Sequence, residues 1–177
     1  DGQNVVYLQH VLEGYKGSMP LGHHATLAPP DEEGSINIST SPLLFGMVPP
    51  GPGIPYSPTE YYSLQPGRKF KSLKRVPTVW KDHPYTDCSS FPARAGFGDV
   101  SAVFHKVKDG PPAWTAATIP SKGYLWMSLK DPSLLPMTVF WTDNRSRHMS
   151  PWNGRNLCIG LEDTCGCFAG GIVPSLK

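Results

Sequence analysis

Apolar and polar residues alternate with a period of two in several parts of the chain, and no stretch of twelve or more residues keeps a 3.6-residue apolar period. Residues 5–13 place Val6, Leu8, His10 and Leu12 on one side and Tyr7, Gln9, Val11 and Glu13 on the other, which predicts a half-buried strand. A short β-like piece follows at 36–40, and further strands are expected at 100–107, 113–119, 124–129, 137–142, 157–162 and 167–173. Turn signals separate them, including Asp109-Gly110-Pro111-Pro112, Lys130-Asp131-Pro132 and Asn153-Gly154. Strands at this spacing without intervening helices predict an all-β fold, an antiparallel β-sandwich.

Residues 42–66 break the pattern. Their density of proline cannot sustain a helix or a central strand. The stretch is expected to be a long irregular excursion packed on the domain through Phe45, Ile54, Tyr56, Tyr61 and Tyr62, with a flexible interdomain linker as the alternative. At 177 residues the chain has the length of one domain and can bury a core without disulfides. The 20 Pro and 18 Gly fall between strand-like runs, not in a repeat.

Sixteen Lys and Arg against fourteen Asp and Glu leave a formal charge of +2, too little for a phosphate-neutralising surface, so no nucleic-acid partner is expected. The apolar runs fall far short of a membrane span, and no membrane partner is expected. Asp1 is not an initiator and no apolar-cored leader follows it, so the start is read as a processed or truncated end. Cys88, Cys158, Cys165 and Cys167 match neither a paired zinc framework nor a dense disulfide scaffold. They are read as small inert thiols of a cytoplasmic chain, against a metal or redox role for Cys165 and Cys167, which share a side if Gly166 is extended. The basic cluster Arg68, Lys69, Lys71, Lys74 and Arg75 reads as a solvated strand or edge, with capture of an anion as the alternative.

The strand around 156–163 carries the clearest chemistry. Leu157, Ile159 and Leu161 form a core-facing stripe, leaving Asn156, Cys158, Gly160 and Glu162 on the opposite, small and polar face. Glu162 can meet a ligand lying there or be an exposed strand-end carboxylate; Asp163 turns to the other face. His23-His24 lies in an extended stretch, so one of the two can enter a given pocket, and a histidine suits general acid work. Adjacent histidines are also a common loop feature, and they converge poorly on a metal. Trp126, Trp141 and Trp152 could stack on sugar rings or simply fill the core. Of these, Trp152 is the best ligand-side candidate, beside the turn Asn153-Gly154-Arg155. No nucleophile elbow, P-loop or dinucleotide fingerprint occurs.

The stretches 137–145 (MTVFWTDNR) and 151–163 (PWNGRNLCIGLED) resemble the C-terminal part of aldose 1-epimerases, the galactose mutarotases, and of their uncharacterised bacterial relatives. In that family a strand ends in a Leu-Glu pair whose glutamate is the catalytic base; Leu161-Glu162 matches it. The general acid is an upstream histidine, which the order of motifs assigns to His24, with His23 in reserve. A sugar-binding aspartate lies between them in that family; Asp87 is the best placed, with Asp82 behind it. Trp152 or Arg155 would border the pocket. This histidine motif lacks its preceding Asn, and Glu162 is followed by Asp163 instead of Pro or Thr.

The resemblance implies the galactose mutarotase-like supersandwich, with this chain as the C-terminal portion of a longer protein. It further implies interconversion of hexose anomers without metal or redox cofactor, and a monosaccharide ligand. A homo-oligomer or a further N-terminal segment would complete the pocket. The alternative is a non-catalytic carbohydrate-binding module or accessory sandwich domain.

Overall fold

The computed structural model describes residues 2–51, 60–106, 111–168 and 170–175. Its strands are β1 (Gly22–Leu27), β2 (Ile36–Thr40), β3 (Leu43–Met47), β4 (Lys69–Phe70), β5 (Val76–Pro77), β6 (Tyr85–Thr86), β7 (Ser90–Phe91), β8 (Gly98–His105), β9 (Ala113–Ile119), β10 (Tyr124–Lys130), β11 (Met137–Asn144) and β12 (Leu157–Thr164). Among the described residues a 3₁₀ turn, Pro120–Lys122, and a short helix α1, Ile172–Ser175, complete the regular elements. The chain is an antiparallel all-β protein, as the period-two pattern requires.

A six-stranded sheet runs β1-β12-β11-β8-β3-β4, a four-stranded sheet runs β10-β9-β2-β7, and β5 and β6 form a small ribbon. The two larger sheets face one another across a core. Val103, Phe140, Ile159 and Leu161 of the larger sheet meet Ile36, Ile38, Ala117 and Ile119 of the smaller, and Leu73, Val76 and Phe91 extend the cluster. Burying residues of this size stabilises by roughly 1.5–3 kcal/mol each, so the inward stripe of β12 fixes its register as well as its face. Leu161 is in register with Ala25 and Phe140, which places Glu162 on the outer face between His24 and Val139.

Several sequence expectations are corrected. Residues 5–13 form no strand: they have no sheet neighbour, and Val6, Tyr7 and Leu8 are exposed. Alternation alone does not make a strand when the backbone has nothing to pair with. The described residues of the stretch 167–173 are turn and helix start instead of a strand, because Phe168 and Gly171 take left-handed φ of 48° and 81° and the Gly170 amide donates to the Cys167 carbonyl. The proline-rich stretch contains β3, which pairs with both β8 and β4 in the proline-free run between Pro42 and Pro49. Ile54 and Tyr56 lie outside the described residues, as does Val107 at the end of the strand expected at 100–107. In the basic cluster, Lys69 belongs to the edge strand β4 with its ammonium over the Phe45 ring, and Arg75 covers Tyr85.

The interior is not wholly apolar. At the end of the core where β10 approaches β11 and β12, Lys130, Asp163, Thr138, Thr115, His105 and Ser41 are all buried. Lys130 Nζ stands 2.8 Å from Asp163 Oδ1, and His105 Nδ1 stands 2.9 Å from Ser41 Oγ. Among the described residues no helix is long and apolar enough to cross a membrane.

Candidate functional site

The outer face of the six-stranded sheet is apolar at its centre. Ala102, Met137 and Val139 are buried there, with Val100, Phe104 and Phe168 packed against them. Beside this floor a hollow of about 480 Å³ is lined by His23, His24, Val100, Val139, Trp141, Arg147, Glu162 and Thr164, among others. That volume lies within the roughly 300–1,000 Å³ usual for small-molecule pockets.

Glu162 and His24 meet in it. They are direct register partners on β12 and β1, on the same face, and Glu162 Oε1 lies 3.3 Å from His24 Nε2. The ring is oriented from behind by Thr26, whose hydroxyl is 3.0 Å from Nδ1, and from the side by Trp141, which meets it edge-on at 5.6 Å between centroids. When the Thr26 hydroxyl donates to Nδ1, the ring proton resides on Nε2, facing the carboxylate. Burial pushes the Glu162 carboxyl above its ordinary value, and the His24 charge pulls it partly back. A carboxyl raised in this way and touching an imidazole is an acid–base pair in a cleft.

Gly160 makes the approach feasible. A Cβ at this position would stand 2.6 Å from Glu162 Oε1 and 3.2 Å from His24 Cε1. The glycine two residues before the glutamate therefore leaves the space the carboxylate occupies.

Arg147 closes the hollow on the β11 side. It reaches there from the loop after β11, in which Arg145 takes a left-handed φ of 59°. Its guanidinium carbon lies 5.0 Å from the ring centres of both Trp141 and Trp152. Nε stands 3.5 Å from Glu60 Oε1 and 3.9 Å from Asp143 Oδ2. These carboxylates are themselves held: Tyr62 donates to Glu60 at 2.7 Å, and Asp143 accepts from the Ser146 amide at 2.9 Å and from Asn156 at 3.1 Å. Arg147 is thus a pre-set donor, its charge balanced by two carboxylates.

The other residues expected at the site fall elsewhere. His23 also lines the hollow, but on β1 it is the register partner of Asp163 and not of Glu162, and its ring lies 4.5 Å from that of His10. Trp152 touches the hollow through Arg147 and is not among its lining residues. Arg155 donates to the carbonyls of Trp152 and Pro151, tying up the turn. Asp87 accepts from the Ser89 amide and hydroxyl at 2.7 and 2.6 Å. With Asp82, Trp80 and Arg94 it lines a separate depression of about 570 Å³ that shares no residue with the first. The structure therefore does not bring Asp87 or Asp82 to Glu162. The turn chemistry of Asp87 two residues before Ser89 explains its placement.

Sequence reasoning missed Arg147, Thr26 and the role of Gly160. Thr26 was legible in principle, since it lies two residues from His24 on an extended strand and shares its face. Arg147 was not, because a loop delivers it. Among the described residues no three His, Cys, Asp or Glu side chains gather into a set that could hold a metal. The cysteines are free; burial pushes the Cys88 thiol up to about 12 and raises that of Cys158 as well. No family model, curated protein or solved structure matches the chain.

Proposed function

We propose that the hollow binds a hexose and interconverts its α and β anomers by acid–base catalysis, in the manner of the aldose 1-epimerases that the Leu161-Glu162 segment resembles. The observation that carries this reading is the 3.3 Å contact between Glu162 and His24. Anomer exchange moves a proton off the anomeric hydroxyl and another onto the ring oxygen. Both oxygens are bonded to one carbon, so the acid and the base must stand side by side, as these two groups do.

In this mechanism Glu162 takes the proton from the anomeric hydroxyl while protonated His24 gives one to the ring oxygen. The bond between ring oxygen and anomeric carbon breaks and the open aldehyde forms. Rotation about the adjacent carbon–carbon bond turns the other carbonyl face to the ring hydroxyl, and closure runs the two transfers backwards. Trp141, Val139 and Val100 offer an apolar surface for the C–H face of the sugar, and Arg147 offers fixed donors to its hydroxyls. The raised carboxyl of Glu162 brings its basicity nearer to neutral pH, where proton transfer is most effective.

Polarimetry on freshly dissolved α-glucose or α-galactose tests the reading. The expected result is equilibration faster than in buffer, lost in Glu162→Gln. Sugar binding without any acceleration, unchanged by that substitution, would instead identify a carbohydrate-binding module. Absence of both effects would overturn a carbohydrate function.

A further inference from the structure

Lys130 and Asp163 belong to opposite sheets and meet between them, on the far face of β12 from the hollow. Their side chains are 1% and 7% exposed, and Nζ lies 2.8 Å from Asp163 Oδ1. The polar groups around the pair are arranged asymmetrically. Thr138 Oγ1 accepts from Lys130 Nζ at 2.6 Å and donates to Asp163 Oδ1 at 2.7 Å, so it bridges the amine and that one oxygen. Ser128 donates to the other oxygen, Oδ2. Thr115, 3.3 Å from Thr138 Oγ1, supports the bridging hydroxyl.

From this arrangement we infer that Lys130 and Asp163 become joined by an intramolecular amide bond between Nζ and Cγ, a covalent cross-link from one sheet of the sandwich to the other.

Each requirement of the reaction has a group in place. Transfer of one proton from the ammonium to the carboxylate through Thr138 gives a neutral amine and a neutral carboxylic acid. The nitrogen lone pair then attacks Cγ, and the negative charge that develops on Oδ2 is met by the Ser128 hydroxyl, a donor already aimed at it. A second proton passes from nitrogen through Thr138 to Oδ1, the Cγ–Oδ1 bond breaks, and Oδ1 leaves as water. The product amide keeps Oδ2 as its carbonyl oxygen, still accepting from Ser128. Atoms and charge balance with no added reagent: one amine and one carboxylic acid yield one amide and one water.

Two physical arguments favour this outcome over a persistent ion pair. Holding both partners in contact raises their effective concentration, which for well-oriented intramolecular reactions reaches about 10⁵–10⁸ M. The buried ions also carry a desolvation penalty of several kcal/mol each, which a neutral amide removes. Burial lowers the pKa of the Lys130 ammonium, consistent with a reactive amine, although the Asp163 charge opposes the shift.

The measurement is the mass of the whole chain under denaturing conditions, followed by tryptic mapping. The expected mass is below that of the sequence by one water molecule, with a branched peptide joining the segments that contain Lys130 and Asp163 and no cleavage after Lys130. Lys130→Arg and Asp163→Ala are each expected to restore the full sequence mass. The wild-type mass reads the bond directly, whether or not the variants fold. A wild-type chain of full mass, cleaved normally after Lys130, would overturn the inference. So would a water loss that maps to one unbranched peptide, such as a cyclised Asp109-Gly110.

Discussion

Gly160 and Glu162 share one face of β12, and the space a Cβ on the first would fill is where the carboxylate of the second sits, 2.6 Å away. A backbone position thus fixes the location of a reactive group. The obstruction falls on the far end of a flexible side chain, so Gly160→Ala is expected to displace the carboxylate and leave the fold intact. A misplacement of about 1 Å can cost 10²-fold in rate. We expect anomer interconversion by Gly160→Ala to fall about 10- to 100-fold, with a thermal midpoint within a few degrees of wild type. Parallel polarimetry and calorimetry check both halves.

Glu162 controls two pH responses of predictable sign. In the proposed anomer exchange it acts as a base when deprotonated, and burial raises its carboxyl above the ordinary 4.5. The acid limb of the rate profile is therefore expected above the usual carboxylate range, and Glu162→Gln is expected to reduce the rate about 10²–10⁴-fold on the plateau above that limb, with the difference shrinking below it. For stability, the native chain holds this proton to higher pH than the unfolded chain. The contribution is fully present below the ordinary value and is lost as pH rises through the native one. Glu162→Gln removes that decline, which denaturant titrations across the pH range will show.

Arg147 is expected to act on binding more than on the chemical step, because its guanidinium lies beside Trp141 and not at the His24–Glu162 contact. A hydrogen bond to a charged group contributes about 1.5–3 kcal/mol. Arg147→Met is accordingly expected to raise KM about 10- to 100-fold, with kcat much less affected. The same variant leaves Glu60 and Asp143 without their shared counter-charge, so its stability is measured alongside.

His105 provides an acid-sensitive element inside the core. Among the described residues its Nε2 is buried without a hydrogen-bond partner, and burial, aided by the Lys130 charge and opposed by Asp163, lowers its pKa from 6.5 to about 4. Loss of both neighbouring charges together leaves burial dominant, so the direction is independent of the cross-link. The unfolded chain binds this proton first as pH falls. The stability from this group is complete above about 6.5 and is lost progressively as pH falls through the lowered value. His105→Phe is expected to flatten the pH dependence of the unfolding free energy in that window. Ser41 keeps a partner in the Trp114 amide, 3.2 Å away.

The strands of the two facing sheets were largely legible because each shows its own evidence: Leu157, Ile159 and Leu161 alternate with residues too small or polar for a core. The same alternation misled at residues 5–13, where the pattern is present and the pairing partner is not. Glu162 and His24 could be nominated as a pair, with Glu162 correctly placed on the outer face, because strand period alone decides which side a residue occupies. Their contact could not be read locally, since it depends on β1 docking in register against β12 from the other end of the chain. Asp87 and Arg155 lie away from the hollow, and Trp152 reaches it only through Arg147, because order along the sequence says nothing about which loop reaches which face. Lys130 reads in the sequence as the start of the turn Lys130-Asp131-Pro132, whereas it closes β10 and runs inward to Asp163.

Adjacent acids pointing opposite ways make β12 sensitive to sliding. A shift of one residue would send the glutamate inward and turn the aspartate to the outer face, where its side chain is a methylene shorter. The buried lysine, the two hydroxyls that donate to the aspartate and the packed leucine and isoleucine all reject that alternative. The concealed end of the strand thereby acts as a gauge for the open end, aligning a group that it never touches.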